Sequence, residues 1–204
     1  MAEAGHRGDK QTVISGLAAG DPLVRKAAIG AANRLGILDQ FLLKTLLQDP
    51  DHRVRGRAAE LAPVIGGTMT DTEGQSLFNL VAAVTKLLDD DQTAEVGAFS
   101  LGEIGVADDD AVRRLEHQAR THKDTLCRES AVASLGSIGT GLATILAATE
   151  DVATVRRRAL IALASFEGKQ VDSALKRALN DRDWQVRQVA EDLLQPNTMT
   201  LNEK

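Results

Sequence analysis

Apolar residues along this 204-residue chain recur three and four positions apart in short bursts, and four of the bursts close on a glycine. That spacing places them on one face of an α-helix. Six bursts share one grammar: an aspartate, an arginine or its substitute four residues on, an alanine three further, and an apolar residue at ten. The full copies are Asp21, Arg25, Ala28, Leu35; Asp51, Arg55, Ala58, Ile65; Asp124, Arg128, Ala131, Ile138; and Asp183, Arg187, Ala190. Two copies are degenerate. The third has Asp90, Ala94, Gly97 and Ile104; the fifth has Asp151 one residue early, then Arg156, Ala159 and Phe166.

Each part of the grammar has a mechanical role. An aspartate ahead of an apolar-periodic run predicts an N-cap, its carboxylate accepting backbone N–H groups at the positive helix end. Pro22 after Asp21 stands where a first-turn proline is tolerated. Gly36, Gly66, Gly105 and Gly139 all fall eleven positions after the arginine register and predict left-handed helix stops. A second apolar-periodic run precedes each capped one, carried by Val13-Ile14-Leu17, Phe41–Leu47, Leu77–Leu88, Val112-Leu115-Ala119, Leu142-Ile145-Leu146 and Val171–Leu179.

The register positions 25, 55, 94, 128, 156 and 187 are 30, 39, 34, 28 and 31 residues apart, the spacing of stacked helical repeats. The long interval holds Gly66–Gly74, read as an inserted loop. Short helix pairs cannot bury their apolar faces alone, so stacking them is the way to one continuous core. The predicted fold is therefore all-α: an α-α superhelix of about six helix pairs at residues 9–36, 37–66, 67–105, 106–139, 140–168 and 169–195. Together these make one repeat domain over 9–195, with tails at 1–8 and 196–204.

Composition sharpens this. Hydrophobic residues are 43% of the chain and aromatics 2%, so alanine and leucine do most of the packing, which suits close helix stacking. The net charge of −5 argues against a surface built for duplex nucleic acid. Cys127 is the sole cysteine, which points to a reducing, cytoplasmic setting. No signal-peptide core opens the chain and no apolar run is long enough to span a bilayer.

The string Asp-x-x-Val-Arg-x-x-Ala, with the endings Leu101-Gly-Glu-Ile-Gly105 and Leu135-Gly-Ser-Ile-Gly139, resembles the bacterial HEAT-like repeat of the phycobilisome lyase type over about residues 9–195. The resemblance implies a ladder of Asp and Arg between neighbouring repeats, carried here by Asp21, Asp51, Asp124 and Asp183 with Arg25, Arg55, Arg128, Arg156 and Arg187. Ala94 interrupts the arginine series, and Val152 takes the aspartate place in the fifth repeat.

Candidate chemistry is sparse. His117, His122 and Cys127 are spaced as a loose metal cluster, but Cys127 takes the buried apolar position of its repeat and the histidines are five apart, so no metal site is expected. HEAT-like deoxyhypusine hydroxylases hold iron with His-Glu dipeptides, and this chain has none. Arg156-Arg157-Arg158 reads as a ladder residue plus a solvated helix face. Trp184 reads as a cover for the last repeat. No phosphate loop or nucleophile–base motif appears, so no catalytic residue and no cofactor are expected.

The resemblance places the capped helices on an inner, concave wall. Positions one, five and eight after the arginine register point away from the apolar stripe. Near the middle of the wall they are small or apolar, including Phe99, Gly102, Ala133, Gly136, Ile161 and Ala164. The expected protein-binding face is Glu95, Phe99, Glu129, Ala133, Arg157 and Ile161, a smooth floor with charged margins that suits a peptide or helix. The expected function is a monomeric, non-catalytic adaptor whose partner is another protein. The alternatives are a nucleic-acid-binding module, or an accessory lyase or chaperone-like subunit for a cofactor-bearing protein.

Overall fold

A computed structural model describes residues 8–69 and 74–195. Residues 1–7 and 196–204 of the expected tails and residues 70–73 of the expected loop lie outside the described residues. Among the described residues every regular element is helical. The helices are α1 (Lys10–Leu17), α2 (Pro22–Arg34), α3 (Gln40–Leu46), α4 (His52–Ala59), α5 (Ala62–Gly66), α6 (Gly74–Thr85), α7 (Ala94–Ile104), α8 (Asp109–Thr121), α9 (Thr125–Ile138), α10 (Leu142–Ala148), α11 (Ala153–Leu163), α12 (Lys169–Ala178) and α13 (Trp184–Leu194), with one 3₁₀ turn at Lys86–Asp89. The chain divides into two compact units, Met1–Arg114 and Leu115–Lys204.

In unit 1 the helix starts follow the cap chemistry. Asp9, Asp21, Asp39 and Asp51 accept N–H groups from Thr12, Leu23, Leu42 and Arg53. Pro22 occupies the first turn of α2. The core is Val13, Ile29, Leu43, Val54, Leu80, Val81, Val84 and Leu101, between helices that approach through alanines 28, 32, 58, 59, 62 and 98.

The second capped run is not one helix. Pro63 has no N–H to give the carbonyl four residues back, at Ala59, and α4 ends there. The freed Ala59 carbonyl accepts instead from the Ser100 hydroxyl of α7, at 2.8 Å and fully buried. A backbone group orphaned by proline is thus satisfied from the next repeat. Gly66, expected as a left-handed stop, is instead the buried last residue of α5 and keeps φ negative, because the proline restart carries the helix through it. A Cβ there would meet Leu77 Cδ1 at 3.4 Å and Leu80 Cδ2 at 3.6 Å, so the glycine makes room for α6.

In unit 2, Asp124 caps α9 and Asp183 caps α13. Gly139 stops α9 in the left-handed conformation at φ 76°; Gly36 and Gly105 do the same in unit 1. Cys127 is buried, and the Gln118 side chain donates to its carbonyl at 2.9 Å. Helices α9 and α11 come very close: a Cβ on Gly136 would lie 2.6 Å from Ala162 Cβ and 2.9 Å from its Cα. The core is Leu115, Val132, Leu135, Ile145, Val155, Leu160, Leu163 and Val186.

Candidate functional site

The register arginines Arg25, Arg55, Arg128 and Arg156 work as two-ended clamps, and Arg187 keeps one of the two ends. At the shared end, Nη1 donates to the arginine's own inter-helix turn: Arg25 to Ala19 O at 2.8 Å, Arg55 to Asp49 O at 2.7 Å, Arg128 to His122 O at 2.9 Å, Arg156 to Asp151 O at 2.8 Å and Arg187 to Asp181 O at 2.7 Å. At the other end, Nε and Nη2 reach a carboxylate of the following repeat. Arg25 grips Asp49 at 2.8 and 2.7 Å, Arg128 grips Asp151 at 2.8 and 2.9 Å, and Arg156 grips Asp181 at 2.8 and 2.6 Å. Arg55 pairs with Asp90 through Nη2 alone. Bidentate, largely buried pairs of this kind are stronger and more directional than surface ion pairs.

The carboxylates of this ladder are therefore Asp49, Asp90, Asp151 and Asp181. The cap residues Asp21, Asp51, Asp124 and Asp183 spend their oxygens on helix N–H groups, and Asp51 also holds Arg53. The reason is geometric: a cap oxygen is committed to the second helical residue, whereas the aspartate two positions earlier sits in the turn facing the preceding repeat. The Asp49-Pro-Asp51 and Asp181-Arg-Asp183 doublets are the sequence signal for this division of labour. Asp90, in the cap register, and Asp151, one residue early, take the ladder role; Val152 is the N-cap residue of α11, which has no side-chain cap.

Electrostatics follow from the clamps. Burial pushes Asp49 up, but hydrogen bonds from Arg25 and the Asp51 N–H outweigh it and hold Asp49 below the usual carboxylate range. The Arg128 guanidinium lowers Asp151, and that of Arg156 lowers Asp181, against an opposing contribution from burial. Ala94 supplies no clamp in unit 1, and in unit 2 His122 stands two residues before Asp124, where other repeats carry a ladder aspartate. The His122 ring accepts the Asp124 N–H at 3.0 Å, as the Asp49 and Asp181 carboxylates do for Asp51 and Asp183.

On the exposed face of the capped helices, unit 1 places Glu95 and Phe99 one turn apart on α7, both exposed, with Phe99 at 51%. In unit 2, Glu129 and Ala133 on α9 and Arg157 on α11 are half-buried, and Ile161 is 43% exposed. Phe99 and Ile161 are thus surface residues. The expected floor is narrower than its spacing suggests: Gly102 and Gly136 are buried, and the close seat of Ala162 against Gly136 shuts that stretch. Gly30, on the same register in unit 1, lies under the Arg57 guanidinium, 3.2 Å from where a Cβ would stand.

Trp184 is 64% exposed, so it covers little of the last repeat. His117 is exposed and within 3.3 Å of the Thr121 hydroxyl. Among the described residues no group of three or more His, Cys, Asp or Glu side chains is arranged to hold a metal ion, and no helix is long and apolar enough to cross a membrane.

Comparison with known proteins follows this geometry. Residues 155–181, from α11 through α12 to the ladder aspartate, match the family described as PBS lyase HEAT-like repeat. No curated protein sequence matches the chain. Among solved structures, two crystal structures of engineered proteins superpose with TM-scores of 0.63 and 0.62, at 19% and 22% identity. They cover 91% and 90% of this chain and 95% and 96% of theirs. Computationally designed armadillo repeat proteins for modular peptide recognition give a TM-score of 0.59 at 16% identity, covering 90% of this chain and 97% of theirs. The chain carries a HEAT-like repeat, and its fold class is the all-α helical-repeat fold.

Proposed function

We propose that this chain is a non-catalytic adaptor that captures a peptide or helix of a partner protein on the exposed face of its capped helices. The observation that carries the reading is the exposure of Phe99 and Ile161, both five positions after the arginine register, on helices whose opposite faces are closely packed. A large apolar side chain held in water on a rigid helix costs solubility and serves as an anchor when a partner covers it. Glu95 flanks Phe99 in unit 1, and Glu129 and Arg157 accompany Ile161 in unit 2, so each unit has an apolar anchor with charged neighbours. The designed armadillo proteins of similar fold, described as made for modular peptide recognition, support the same use of helical repeats. On this reading residues 9–195 act as one repeat domain, monomeric and cytoplasmic, with the single buried Cys127 suited to a reducing compartment.

The test is capture of partners from native cells by the unaltered protein, Phe99→Asp and Ile161→Asp, with helicity followed by circular dichroism. The expected result is loss of the same partner from both variants at unchanged helicity. Retention of that partner by both would overturn the reading, as would loss of helicity, which would make the two residues part of the core. Capture of nucleic acid that weakens steeply with salt would replace it with the nucleic-acid alternative.

A further inference from the structure

The ladder leaves a recurring cleft between the outer helices of adjacent repeats, with the ladder aspartate at its base. It is seen at Asp49 in unit 1, and at Asp151 and Asp181 in unit 2. The repeat grammar accounts for the base and leaves the rim unassigned. Ten and five residues before the arginine register, the Asp49 repeat has Thr45 and Pro50, of which Thr45 lines its cleft, whereas Arg177 and Arg182 both line the Asp181 cleft. Both arginines are exposed, and Arg182 stands near enough to Asp181 to help lower its carboxyl. They line an opening of about 440 Å³ with Thr149, Glu150, Asn180 and Asp181, beneath which Leu160, Ala174, Ala178 and Val186 are buried. Asp181 at the base is already neutralised by Arg156, and Glu150 is the remaining carboxylate of the lining. In a chain of net charge −5, a lining with three guanidinium groups, of Arg156, Arg177 and Arg182, against the carboxylates of Glu150 and Asp181 is a local reversal of sign.

We propose that this cleft binds an acidic segment of a partner protein, with its carboxylates on Arg177 and Arg182. The planar fork of each arginine suits a carboxylate, and two forks on one cleft suit two carboxylates of one segment better than a single bare anion. The exposed Trp184, on the helix that supplies Val186, offers a rim contact next to Arg182. Because all of these residues lie in unit 2 and none belongs to the Phe99 and Ile161 face, this site is independent of the proposed capture face.

The experiment is fluorescence anisotropy with a labelled peptide of core sequence Asp-Glu-Leu-Glu-Asp and its neutral isostere Asn-Gln-Leu-Gln-Asn, against the full chain. The acidic peptide is expected to bind at least tenfold more tightly than the isostere, and its affinity to fall as salt rises from about 50 to about 200 mM. The double variant Arg177→Glu, Arg182→Glu is expected to lose at least tenfold, while Phe99→Asp retains binding and the melting temperature stays constant. Equal binding of the two peptides, indifference to the double variant, or full displacement by inorganic phosphate at equal charge would each overturn the assignment. A double variant that melts early is replaced by Arg177→Gln, Arg182→Gln, for which the same loss is expected.

Discussion

Two clefts of one design, one in each unit, show which positions of this repeat are bound by stacking and which are free. In unit 1 the cleft above Asp49, about 570 Å³, is lined by Ile14, Leu17, Ile37, Leu42 and Leu46 and is almost wholly apolar. In unit 2 the cleft above Asp181 is ringed by Arg177, Asn180 and Arg182. The base is common to both: Arg25 holds Asp49 as Arg156 holds Asp181. A residue that joins two repeats has no latitude, because its partner is set by the neighbouring turn. A residue that faces outward from the joint has only water to satisfy. The units differ again in helix approach. In unit 2 the Gly136–Ala162 seat admits no side chain, whereas in unit 1 a Cβ on Gly56 would lie 3.8 Å from Val96 Cγ1, an ordinary contact.

The sharpest way to break the comparison is at those glycines. Gly136→Leu should destabilise unit 2 by about 3 kcal/mol, since α9 and α11 must part to admit it; urea unfolding followed by circular dichroism measures this. A loss under about 1 kcal/mol would mean that the helices yield at little cost.

Arg156→Ala should cost about 2 kcal/mol, because it strands a largely buried Asp181 carboxylate and frees the Asp151 carbonyl. The same variant tests pH dependence. Asp181 is held below its unfolded value by Arg156, so its contribution is present above the unfolded carboxylate range, near pH 4, and is lost as pH falls through the lower folded value. Arg156→Ala should therefore flatten the acid limb of the stability curve, measured as urea midpoints between neutral pH and about pH 3. An unchanged acid limb would assign that limb to the other carboxylates held low, Asp49, Asp51 and Asp151 among them.

Gly56→Ala should have the smallest effect and the opposite sign, a gain of about 0.5 kcal/mol from helix propensity with room already present. A loss there would show that the Gly56 site is packed as closely as Gly97 of the same unit, where a Cβ would lie 3.0 Å from Leu87 Cβ.

Much of the fold was legible in the chain because its signals are local. Asp21, Asp51, Asp124 and Asp183 mark helix starts whatever the repeats do afterwards, since a cap bonds residues two and three positions away. Gly36, Gly105 and Gly139 stop helices for an equally local reason, the ease of positive φ. Phe99 and Ile161 were legible as residues facing away from the stripe, though their exposure was not. The partner of each arginine was not legible, because Asp49, Asp90, Asp151 and Asp181 lie 23 to 35 residues away and compete with nearer cap aspartates.

The amino-acid order by itself determined where helices begin, which of their faces is apolar and that they come in pairs, since these depend on neighbours within a turn of helix. Only the tertiary structure decided which carboxylate each arginine grips, that Ser100 answers the carbonyl freed by Pro63, and that Gly136 closes a floor while Arg177 and Arg182 ring a cleft. Those outcomes are set by which surfaces meet when one helix pair is laid on the next, and no short-range spacing encodes that meeting.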